Sequence, residues 1–130
     1  MELPEIGKTL SLKEVKELCL YFELPELWEK IKKDPPKKPF KSDGCSCWPE
    51  DWNDVAGKKV SIYSGCLRHD LHYWAGYAGE SIEKFLADVE LMVSVVLKTK
   101  RVGLGVAMFL GVILGGSEKF KTPFKWGFGR

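Results

Sequence analysis

"GCLRHDLHYW", residues 65–74, places Cys66, His69, Asp70, Tyr73 and Trp74 in one short run. Cys66, His69, Tyr73, Trp74 and Tyr77 recur at spacings of three and four, which predicts a helix over 66–78 with these residues on one face and Gly79 ending it. Adjacent residues on a helix diverge by about 100°, so His69 and Asp70 face different partners. His69 suits a proton-transfer role, because an unperturbed imidazole pKa of ~6.5 leaves it mostly neutral at physiological pH. Asp70 suits a hard cation such as calcium, which takes carboxylate and carbonyl oxygens.

Upstream, the loop "SDGCSC" (42–47) offers both kinds of oxygen, with Asp43 as a carboxylate and Gly44 allowing close backbone approach. Downstream, "SIEKFLADVELMVSVVLK" reads as a helix capped by Ser81, with the cations of "KTKR" at its C-terminal end. On that helix Glu83, Glu90 and Ser94 share one side, and Asp88 lies opposite, among Phe85, Leu91, Met92 and Val95. A carboxylate entering an apolar surface needs a donor. Two are available: His69 from the neighbouring helix, or Lys84 at i−4 in an ordinary surface salt bridge.

The 130 residues fit one domain with a single real core, and 45% apolar with 29% charged composition is that of a globular protein. The domain divides into an N-terminal helical extension (1–40), the loop and the His/Asp helices (41–101), and an apolar helix with a basic tail (102–130). Net charge is +2, but residues 1–97 carry 13 Lys and Arg against 17 Asp and Glu, whereas 98–130 carry 7 against 1. A basic end suits phosphate, on lipid or nucleic acid, yet no nucleic-acid motif accompanies it and nucleic-acid binding is not expected. The N-terminus lacks the basic-then-apolar pattern of a secretory signal, so a cytoplasmic or membrane-peripheral location is the expectation.

Ser11 and Glu14 form a capping box that opens an amphipathic helix, and Pro25 opens a second, "LPELWEKIKK". The Pro- and Lys-rich stretch 32–52 reads as loop, and "KKVSIYSG" as a short strand or extended chain. "VGLGVAMFLGVILGG" (102–116) is shorter than the ~20 residues that span a bilayer and reads as a buried core helix. Gly103, Ala107, Gly111 and Gly115 form a small-residue stripe that lets another helix approach.

"SDGCS" followed by "CLRHDLHY" resembles the calcium loop and active-site helix of phospholipase A2, and is most similar to the small prokaryotic and fungal branch. The likeness covers residues 42 to about 90. It implies an all-α, phospholipase A2-like helical core with two antiparallel active-site helices and a Pro/Gly-rich calcium-type loop. It also implies Ca2+ held by Asp43, the Gly44 carbonyl and Asp70, with His69 as general base, Asp88 as its orienting partner and Tyr73 as a supporting aromatic. A disulfide between Cys45 and Cys66 belongs to the same pattern. The implied activity is hydrolysis of a phospholipid acyl ester by an activated water at a phospholipid or membrane surface, which Trp48, Trp52 and Trp74 would approach.

Three features depart from that pattern: Cys47 has no assigned partner, His72 stands where a small residue is expected, and "KTPFKWGFGR" has no counterpart. A second reading places Zn2+ in a Cys3His site of Cys45, Cys47, Cys66 and His69. A third keeps the phospholipase A2-like domain as a non-catalytic binder of lipid or a partner.

Overall fold

The computed structural model describes residues 2–45, 48–117 and 123–130. Cys47, needed by the zinc reading, lies outside them. The described chain is mostly helical, with α1 (Leu12–Tyr21), α2 (Pro25–Lys33), α3 (Tyr63–Ala75), α4 (Ser81–Thr99) and α5 (Val102–Gly115). An all-α class is incomplete, because two small antiparallel strand pairs are also present. Strand β1 (Thr9–Leu10) pairs with β2 (Phe40–Lys41), and β3 (Asp51–Asn53) with β4 (Lys59–Ser61). Strand β4 falls in "KKVSIYSG", the stretch read as a short strand or extended chain, whereas β1, β2 and β3 are too short to show a period of two.

The N-terminal capping box forms as read: the Glu14 amide donates to Ser11 Oγ and the Ser11 amide to Glu14 Oε1, each at 3.2 Å. Pro25 occupies the first turn of α2, where its missing N–H costs nothing. Val15, Leu18 and Cys19 of α1, Leu27 and Ile31 of α2, and Phe40 of β2 bury against Leu67, Leu71 and Trp74 of α3. Residues 1–40 therefore supply most of the buried side chains of the main core.

Helix α3 starts earlier than the periodicity suggested and stops at Gly76, three residues before Gly79. The C-terminal segment explains the stop by claiming the carbonyls that a continuing helix would use. Gly127 N donates to Tyr73 O at 2.7 Å, Gly129 N to Trp74 O at 3.2 Å, and Arg130 Nη2 to Ala75 O at 2.9 Å. Trp126 completes the stop: a Cβ on Gly76 would lie 2.2 Å from its indole. The "WGFGR" tail is thus the C-terminal cap of the histidine helix.

Helices α3 and α4 run antiparallel, with Gly65 against Ser94 at one end and Tyr73 on Asp88 at the other. Ser81 is the first residue of α4 and not its cap. Glu80 holds the cap position, and its carboxylate is engaged elsewhere, by the Tyr77 amide and Lys30 Nζ, each at 2.6 Å. Lys98 sits in the last turn of α4 as expected, and Lys100 closes the helix at φ 58°.

Helix α5 departs most from its reading, since only Gly105, Met108 and the capping Gly116 are buried along it. The close approach to α4 occurs at Gly105, where a Cβ would meet Val96 Cγ2 at 2.5 Å. The stripe at Gly103, Ala107, Gly111 and Gly115 faces outward. Beside it Val102, Val106, Leu110 and Leu114 are exposed, as are Ile82, Leu86, Val93 and Leu97 on α4. Among the described residues no helix is long and apolar enough to cross a membrane.

Candidate active site

His69, two turns into α3, projects toward α4, where Asp88 lies wholly buried. His69 Nε2 is 2.8 Å from Asp88 Oδ1, and Tyr73, one turn further on, donates its hydroxyl to the same oxygen at 2.5 Å. Lys84 Nζ donates to Asp88 Oδ2 at 2.8 Å. The two donors weighed from sequence are both used, and the lysine is part of a mostly buried cluster, its side chain 16% exposed.

This arrangement assigns the imidazole tautomer. An ionised carboxylate only accepts, so Nε2 carries the hydrogen, and in the neutral ring Nδ1 is the nitrogen with the lone pair. Burial works to raise the Asp88 carboxyl, but hydrogen bonds from His69, Lys84 and Tyr73 outweigh it and leave the group below the ordinary carboxylate range. Asp88 is thus held as the anion. Tyr73 is pushed the other way, first by burial and then by the Asp88 charge, which keeps its hydroxyl protonated and donating. Its ring lies tilted 4.2 Å from the His69 ring and meets Trp126 edge to face at 5.2 Å, so packing fixes the histidine from the side.

The Nδ1 edge of His69 is on the Asp70 side, 4.0 Å from Asp70 Oδ1. Asp70 turns away from Asp88 toward the 42–45 loop, as the 100° step requires. Ser42 Oγ donates to Asp70 Oδ2 at 2.6 Å and accepts from the Gly44 amide at 3.0 Å, which ties the loop to the helix. The Asp43 carboxyl is within hydrogen-bonding reach of Asp70. Burial pushes Asp70 well above its usual value; the Ser42 hydrogen bond opposes this, and the Asp43 charge adds to it.

Four constraints hold this loop. Strand β2 leads straight into it, paired to β1 in the register Leu10 to Phe40, and Gly7 N donates to Ser42 O at 2.8 Å. The Cys45–Cys66 disulfide is formed, joining the loop to the turn of α3 that precedes His69. Gly44 takes φ +74°, and a Cβ there would lie 2.7 Å from Glu50 Oε1. Glu50 also accepts from the Cys45 amide at 3.3 Å and, through its carbonyl, from Ile62 N at 2.8 Å.

Five of the sequence-derived site residues therefore converge: His69 with Asp88 on one side, Asp70 with Asp43 and Gly44 on the other. Sequence reasoning missed Ser42 and Glu50. Ser42 adjoins Asp43 and was legible as a small hydroxyl at the loop entrance, whereas Glu50 carried no spacing signal. Of the three tryptophans, Trp74 is buried in the main core with its Nε1 on Lys38 O at 2.8 Å, so it is not available to a lipid surface. Trp48 and Trp52 pack on the disulfide cluster. His72 faces Glu90 of α4, with which Arg68 of α3 also pairs, and burial and the Arg68 charge lower it to about 4. Comparison with protein-family models, with curated proteins and with solved structures returned no match.

Among the described residues no group of three or more His, Cys, Asp and Glu side chains is gathered for a metal ion. The donor set at Asp43 and Asp70 is nevertheless oxygen only. Two carboxylates in contact, one of them buried, favour a cation between them, which fits calcium supplemented by backbone carbonyls. The disulfide takes Cys45 and Cys66 out of the Cys3His zinc set. A cleft of about 310 Å³ opens at the other end of the cluster, lined by Lys84, Phe85, Asp88, Ile113 and Trp126.

Proposed function

We propose that this chain is a calcium-dependent, phospholipase A2-type hydrolase acting on a phospholipid acyl ester. One observation carries the reading: His69 is bonded through Nε2 to the buried carboxylate of Asp88, while its Nδ1 edge is on the side of Asp70, whose carboxyl interacts in turn with that of Asp43. Position-by-position likeness to the "SDGCS" and "CLRHDLHY" elements supports it, as does the disulfide between them.

His69 Nδ1 accepts a proton from a water on the loop side, and that water adds to the ester carbonyl. Asp88 keeps Nε2–H directed at itself, which holds the tautomer, and its charge stabilises the imidazolium that forms. Tyr73 and Lys84 hold Asp88 ionised and in place, so the dyad does not reorganise during the step. The proton on Nδ1 then passes to the leaving alcohol as the bond to the acyl carbon breaks. Asp43, Asp70 and the Gly44 carbonyl would hold the calcium ion. When bound, that ion supplies Lewis-acid polarisation of the ester carbonyl and charge stabilisation of its oxygen.

The test uses the full chain with mixed phospholipid vesicles, reading fatty-acid release with calcium or with a chelator. Release that needs calcium and is lost in His69→Ala, with an unchanged circular dichroism spectrum, supports the proposal. Millimolar calcium should also raise the melting temperature of the wild type and not of Asp43→Asn. Calcium binding with no ester cleavage overturns hydrolysis in favour of a non-catalytic lipid- or partner-binding role. Absence of both overturns the calcium site as well.

A further inference from the structure

The "WGFGR" segment, residues 126–130, takes no part in the proposed chemistry, yet it closes around Tyr73, the residue that touches both members of the dyad. The Tyr73 hydroxyl donates to Asp88 Oδ1, and its ring lies against the imidazole of His69. Both contacts depend on where the phenol ring sits. A second acceptor, the Val112 carbonyl, is 3.4 Å from the same hydroxyl, so a small displacement of the ring would move its hydrogen bond off the carboxylate.

Three contacts fix that ring from outside the dyad. Trp126 is buried and meets the phenol edge to face, with the ring centroids 5.2 Å apart. Gly116 leaves the space that the phenol occupies, since a Cβ there would lie 2.5 Å from Tyr73 Oη. The Gly127 amide holds the backbone of the same residue, donating to Tyr73 O at 2.7 Å. Trp126 is tied in turn at both ends: its amide donates to the Gly116 carbonyl at 3.0 Å and its Nε1 to the Tyr77 carbonyl at 2.8 Å. Its indole moves only with the loss of a hydrogen bond.

The indole also stands between the dyad and solvent. It forms one wall of the 310 Å³ cleft beside Lys84 and Asp88, while Asp88 itself is wholly buried. Truncating Trp126 would join the space of its ring to that cleft and admit water to the carboxylate, where water competes for the hydrogen bonds and screens the charge. We infer that Trp126 is a positioning residue for the proposed reaction, acting through Tyr73 to keep Asp88 on His69 Nε2. The inference rests on the hydrolase reading for its kinetic consequence, whereas the tautomer that Trp126 maintains exists with or without turnover. Arg130 supplies the contrast: it caps the same helix through Ala75 O at 2.9 Å and pairs with Asp34, away from Tyr73.

Nitrogen NMR of the full chain reads the imidazole directly, with His69→Ala assigning its signals against those of His72. In the neutral wild-type ring the Nδ1 and Nε2 resonances should stand well apart, as a single held tautomer requires. In Trp126→Ala they should draw together as the tautomers exchange. Hydrolysis of vesicle phospholipid by that variant should lose about 100-fold in kcat with KM within about twofold, the effect of misplacing a group that acts in the transition state. Trp126→Phe keeps a ring edge on Tyr73 and should retain the wild-type spectrum and most of kcat. Arg130→Ala should melt lower yet keep both. Should Trp126→Ala fail to fold, Gly116→Ala displaces the phenol directly and should give the same spectral change. A wild-type ring already in tautomer exchange, an unchanged His69 spectrum in folded Trp126→Ala or Gly116→Ala, or an equal loss of kcat in Arg130→Ala overturns the inference. A wild type without hydrolysis, whose His69 spectrum still responds to Trp126→Ala and not to Arg130→Ala, supports the positioning role and overturns the hydrolase reading.

Discussion

Replacing Asp88 by alanine removes a carboxylate that accepts from three donors. The carboxylate is wholly buried, with His69 Nε2 and Lys84 Nζ at 2.8 Å and the Tyr73 hydroxyl at 2.5 Å. Truncation leaves the buried phenol with only the longer contact to the Val112 carbonyl, at 3.4 Å, and a mostly buried ammonium without its counter-charge, and removing one side of such a pair costs about 3–5 kcal/mol. Asp88→Asn keeps the volume and one acceptor oxygen but turns an amide donor toward a donor, for which we expect about 2–3 kcal/mol. Urea unfolding followed by tryptophan fluorescence reads both, because midpoint shifts at constant slope report stability directly.

The pH dependence gives a second handle on the same residue. The folded-state pKa of Asp88 lies below its unfolded value, so the unfolded chain binds the proton first as pH falls. Its contribution is complete above the ordinary carboxylate pKa of about 3.9 and is lost as pH drops through the depressed folded value. The gap between wild type and Asp88→Asn should therefore narrow below about pH 4. An Asp88→Ala cost under about 1 kcal/mol, or a gap that does not narrow below about pH 4, would refute the buried-anion account.

The Cys45–Cys66 bridge closes a segment of 21 residues, and the double serine variant should lose about 3 kcal/mol in thermal or urea unfolding by loop entropy. Gly105→Leu drives a side chain into Val96 and the Met92 carbonyl, so it should cost about 2–3 kcal/mol by overpacking, seen as a lowered melting temperature. The Cys19 thiol is buried and raised to about 11 by that burial. Maleimide or disulfide reagents at neutral pH should label it only at the rate of unfolding; rapid labelling of the native protein at Cys19 would show that α1 does not seal the core.

Local chemistry made much of the molecule readable from the chain. The Ser11–Glu14 box and Pro25 mark helix starts because their partners lie within a turn, and the 100° step separates His69 from Asp70 whatever surrounds them. The apolar neighbours of Asp88 announced a buried carboxylate in need of a donor. What depends on contacts distant in sequence was not readable. Gly76 ends α3 because residues 126–130 return to claim its last carbonyls, and α4 begins one residue earlier than a Ser81 cap would place it, with Glu80 at the cap position.

Which donor Asp88 takes was likewise a tertiary decision. Lys84 was available one turn away on any helix, but His69 and Tyr73 reach the carboxylate only when α3 packs antiparallel on α4. The glycines of α5 show the same division. Their spacing is written in the chain, while packing alone set Gly105 against Val96 and left Gly111 facing outward. Periodicity prescribes that a helix has faces; which face meets which neighbour is set by burial summed over the whole core, a quantity that no single segment contains.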